Sequence, residues 1–102
     1  MARWTETLND MKKISRISQE LPIGGIVRIV LDNNETIEGV IRSSNSGNNA
    51  GQGKWKYYGE VEIETTNHQL RMIDYLDIKS VTNIWSTHSE EYDRLGLIKI
   101  IQ

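Results

Sequence analysis

The sequence has no cysteine and no phenylalanine, and only one proline. Without cysteine there can be no disulfide and no thiolate metal site. No apolar run approaches the roughly 18 residues that a membrane span requires. The start, MARWTETLND, lacks the basic and then hydrophobic segments of a signal peptide, so a cytoplasmic protein without membrane attachment is the expectation. A strong excess of either charge is missing too. Twelve Lys and Arg stand against 14 Asp and Glu, a net charge of −2, so no global field draws in a polyanion and any nucleic-acid contact has to be local. At 102 residues the chain makes one domain with one modest core.

What is present divides by hydrophobic period, which changes at Pro22. From residue 4 to 21, Trp4, Leu8, Met11, Ile14, Ile17 and Leu21 fall three and four apart and predict an amphipathic helix that Pro22 and Gly24-Gly25 end. A period of two follows. Val27, Ile29 and Leu31 share one strand face, and Ile26, Arg28, Val30 and Asp32 share the other. The turn DNNE and the strand TIEGVIR complete a hairpin, in which Gly39 signals a bend or a close backbone approach. SSNSGNNAGQG, residues 43–53, has little to bury and reads as a flexible loop. KWKYYGEVEIET reads as a third strand, LRMIDY after the turn TTNHQ as a fourth, and LDIKSVTNIW as a bend and a fifth. In the tail, Thr87 with Glu90 forms a capping-box pattern for a short helix that Gly96 ends, and LIKII reads as a short strand.

This order resembles an Sm-like small barrel. VRIVLDNNETIEGVIR looks like the first Sm motif, with Gly39 at its glycine position, and MIDYLDIKSVTNI resembles the second. The resemblance implies a mainly β fold: an N-terminal helix over a strongly bent, five-stranded antiparallel Sm-like or SH3-like barrel, plus a C-terminal helical turn and strand. The divisions are helix 4–21, barrel 25–85 and extension 86–102. Members of the family commonly form rings through their fourth and fifth strands and bind single-stranded RNA at the pore. Here residues 43–53 replace the short loop that carries the family's Asp and Asn, and Tyr75-Leu76-Asp77 stands where an Arg-Gly or Lys-His pair is usual. The fold carries over; the family's RNA pocket does not.

The residues themselves offer two binding surfaces. Arg42, Lys54, Trp55, Lys56, Tyr57 and Tyr58 interleave cations with aromatic rings, the combination that suits single-stranded RNA, or they simply begin a strand. Leu97, Ile98, Ile100 and Ile101 give the tail an apolar surface that either completes this domain's own sheet or contacts another subunit in a homo-oligomer or a protein partner. Glu60, Glu62 and Glu64 share one strand face with side chains too far apart to converge on a metal, and a solvated face able to pair with Arg28 and Arg42 is expected. His68 and His88 lack a second ligand at metal spacing and read as surface residues. No cofactor site, nucleophile elbow or phosphate loop can be assembled, so a non-catalytic module is expected.

Overall fold

The computed structural model describes residues 3–22, 24–48 and 56–99. Helix α1 (Leu8–Glu20) begins at Thr7, whose hydroxyl accepts the Asp10 amide at 3.1 Å. The cap explains why the helical stripe stops short of Trp4. Trp4 and Leu8 are exposed, while Ile14 and Ile17 are buried and Met11 and Leu21 half-buried. Strands β1 (Ile26–Leu31), β2 (Thr36–Asn48), β3 (Tyr57–Thr65), β4 (Leu70–Asp74) and β5 (Ile78–Asn83) form one antiparallel sheet in the order β4-β3-β2-β1-β5. A single 3-10 turn, Tyr75–Asp77, links β4 to β5 and is capped by the Asp74 carboxylate on the Leu76 amide at 2.8 Å. No ladder joins β4 to β5 among the described residues.

The first hairpin forms as its alternation predicts. Val27 and Ile29 turn toward α1 and join Ile14, Ile17, Ile37, Val61, Ile63, Ile73, Tyr75 and Ile78 in the main core. Ile26, on the opposite face, pairs in register with Val40. These two join Ile84, Tyr92 and Leu97 in a second, smaller core under helix α2 (Trp85–Arg94). The sheet is therefore covered on one face by α1 and at one corner of the other by α2.

Three sequence expectations change. The segment Ser43–Asn48 belongs to β2 and pairs with β3 as far as Asn48 opposite Tyr57, while residues 49–53 of the expected loop lie outside the described residues. Its serines and asparagines carry no apolar alternation, and the strand exists because β3 offers a partner for each of them. Helix α2 starts before Thr87. Asn83 Oδ1 accepts the Trp85 amide at 3.0 Å, and the Thr87 hydroxyl donates to the Ile84 carbonyl instead of forming the capping box. Gly96 ends α2 as expected, at φ 75°, with its amide on Asp93 O and the Leu97 amide on Tyr92 O, both 3.0 Å. That double bond pattern turns the chain sharply and folds Leu97 back onto Tyr92. Leu97, Ile98 and Lys99 consequently lie outside any strand, against the expected C-terminal strand.

Candidate binding groove

Gly39 makes the close approach expected of it. A Cβ there would stand 2.5 Å from the Glu64 carbonyl oxygen and would collide with the Ile63 side chain. Just beyond, β2 carries one extra residue: Ile41 pairs with Ile63 and Ser43 with Glu62, leaving Arg42 as the bulge. Because strand side chains alternate, one inserted residue exchanges the faces of everything that follows. Before the bulge Ile37 and Gly39 face α1. After it Ser44, Ser46 and Asn48 do, opposite Val61, Gly59 and Tyr57. The bulge thus places a polar row where a regular strand would present Ser43, Asn45 and Gly47.

The result is a groove of about 630 Å³ between α1 and the far ends of β2 and β3. Met11, Lys12, Ser15 and Ser18 form its helical wall, and Ser46, Asn48, Tyr57 and Tyr58 its strand wall. A second cavity of about 300 Å³ shares Ser18 and Ser46 with it and runs on toward Pro22 and Arg42, with Tyr75 in its lining. Burial raises the Tyr75 phenol above its ordinary pKa, and a hydrogen bond with Ser44 opposes that rise. The Tyr58 ring meets Trp4 edge to face, with centroids 5.2 Å apart. Thr5, almost fully buried, locks the approach to β3 from outside, donating its amide to the Tyr57 carbonyl at 2.8 Å and accepting the Tyr57 amide on its hydroxyl at 2.9 Å.

Of the cation and aromatic residues singled out in the sequence, Tyr57 and Tyr58 line the groove, with exposed Lys56 next in the chain; the Tyr57 side chain faces α1, whereas the Tyr58 ring lies on the opposite face over Gly47, with its hydroxyl toward Asn45. Lys54 and Trp55 lie outside the described residues. The Arg42 guanidinium is committed elsewhere: Nε donates to Glu64 at 2.8 Å and Nη2 to the Leu97 carbonyl at 2.7 Å. Lys12, on α1, supplies the groove with a cation. Its contribution depends on how α1 crosses the sheet, which no local pattern encodes.

The acidic strand behaves in part as expected. Glu64 pairs with Arg42 and lies 3.3 Å from His68 Nδ1, and these contacts, that from Arg42 foremost, hold its carboxyl below the ordinary value. Arg28 pairs with Glu38, directly opposite on β2, at 2.5 Å rather than with β3. His88 is half-buried, 4.0 Å from Glu38 and edge to face with Tyr92. Burial pushes the Tyr92 phenol up, and its hydroxyl has no hydrogen-bond partner. No cluster of three or more metal-ligating side chains occurs among the described residues. In the tail, Leu97 is buried in the second core and Ile98 packs against it, while Ile100 and Ile101 lie outside the described residues. No described helix is long and apolar enough to cross a membrane.

No protein-family model matches the sequence, and no curated protein matches it. Among solved structures it is similar to the crystal structure of XC5848 from Xanthomonas campestris, described as adopting a novel variant of the Sm-like motif. The two superpose with a TM-score of 0.64 at 16% sequence identity, over 81% of this chain and 94% of that one. With an N-terminal helix on a bent five-stranded antiparallel sheet, the glycine-bearing second strand and the single turn between β4 and β5, this chain has an Sm-like fold.

Proposed function

We propose that the protein is a non-catalytic small-barrel module that binds single-stranded RNA in the groove between α1 and the ends of β2 and β3. The observation that carries this reading is the meeting of Tyr57 and Lys12 in one open groove, at whose rim Tyr58 lies. Aromatic faces hold unpaired bases by stacking, and a nearby cation neutralises phosphate. Among the described residues the groove lining holds no histidine or carboxylate to serve as a general base, which supports binding over catalysis.

Fluorescence anisotropy of labelled hexameric RNA provides the test. Saturable binding that weakens several-fold in Lys12→Ala and in Tyr57→Leu is the expected result. Absence of binding at micromolar protein and low salt overturns the proposal.

One observation favours a second reading, self-association or protein contact through a strand edge. Leu70 and Met72 on edge strand β4 are 61% and 56% exposed. Apolar side chains on an unpaired edge favour addition of another strand. Sedimentation equilibrium would then give a mass above 11.7 kDa that falls in Met72→Lys, and a monomer at all concentrations would exclude it.

A further inference from the structure

The groove's chemistry points to the part of the nucleotide it reads. Among the described residues Lys12 is the one cation in its main lining, and Arg42, which borders the adjoining cavity, is engaged by Glu64 and Leu97. A site that gripped the phosphate backbone would need more positive charge. What the groove offers instead is hydroxyls from two directions. Ser15 and Ser18, one helical turn apart, face it from α1, and Ser46 faces it from β2 because of the Arg42 bulge. Among the described residues the Ser15 and Ser18 side chains have no hydrogen-bond partner, so both are able to donate and accept. Short hydroxyls beside aromatic rings match a sugar carrying adjacent hydroxyl groups. In a polynucleotide the group that answers them is the ribose 2′-hydroxyl, itself both donor and acceptor.

Resting on the RNA reading above, we infer that this groove recognises ribose, through Ser15, Ser18 and Ser46, and thereby selects RNA over DNA of the same sequence with little dependence on salt. The bases stack on the tyrosine side while the sugars lie along the helical wall. From Met11 to Ser18 that wall is about 10 Å long, enough for one or two nucleotides and no more.

Anisotropy titrations with labelled hexauridylate and the matching deoxyuridine hexamer, each from 50 to 300 mM salt, separate the possibilities. The expected result is roughly tenfold tighter binding of the RNA, the effect of one to two hydrogen bonds. The slope of log affinity against log salt should be near −1, since each phosphate neutralised on a single strand contributes about −0.7. The variant Ser15→Ala/Ser18→Ala/Ser46→Ala should bind RNA no better than DNA. Its two helical changes raise helix propensity, so the fold is not at risk from them. Equal affinity for RNA and DNA, both lost in Tyr57→Leu, overturns ribose recognition and leaves the single-strand site standing. A slope steeper than about −3 overturns it as well, because phosphate contacts then dominate. If neither oligonucleotide binds, both readings fail together.

Discussion

The ring of Tyr75 occupies the space where residue 59 would carry a Cβ if it were not glycine. Gly59 pairs with Ser46 on one side, and the Tyr75 ring closes the main core over it from the turn after β4. The contact ties the middle of the sheet to the link that lets β5 cross over to β1.

Gly59→Ala should therefore destabilise the protein by about 1–3 kcal/mol through overpacking against an aromatic ring that is itself buried. Urea denaturation read by circular dichroism would show a lower midpoint with an unchanged slope. Pairing it with Tyr75→Leu should relieve part of the loss, and additive effects in the double variant would mean the two residues are not coupled.

Leu97 gives a second prediction. It is 3% exposed and fills the smaller core with Tyr92, Ile26 and Val40, so Leu97→Ala should cost about 2–5 kcal/mol in unfolding experiments. A surface leucine waiting for a subunit would cost almost nothing on truncation, and sedimentation would show the change in mass instead.

The Arg42–Glu64 pair predicts a pH dependence. The Glu64 carboxyl is held below its ordinary value in the folded chain, so it binds its proton later than in the unfolded chain. The stabilisation is present above the unfolded glutamate value and is lost as pH falls through the depressed folded value. Glu64→Gln should thus lower stability at neutral pH, and its difference from the parent should shrink toward acid. A constant difference from neutral to strongly acid pH would show that the carboxylate charge is not what the pair contributes.

Much of the fold was legible because alternation and breakers agree in the first half of the chain. Val27 and Ile29 against Ile26 and Arg28, the DNNE turn and Gly39 each point to the same bent hairpin. Trp4 and Leu8 misled because their spacing continues the stripe while Thr7, an available cap, interrupts it. The groove was only half legible. Tyr57 and Tyr58 stand out in any reading, but Ser46 and Lys12 reach them through a bulge and a helix crossing that arise from tertiary packing. The pairing of Arg42 with the acidic strand was legible, but its second acceptor, the Leu97 carbonyl, was not, being 55 residues away in sequence.

The bond of Thr5 to Tyr57 also sets how much of the sheet another chain can reach from the β4 edge. β3 has nine residues and β4 five, and Thr5 takes the ladder position of Tyr57, where β4 does not extend. The stretch of β4 left as a template is then about 17 Å long. An added strand would be docked over five residues at most, long enough for a reversible contact and short enough to blunt runaway stacking.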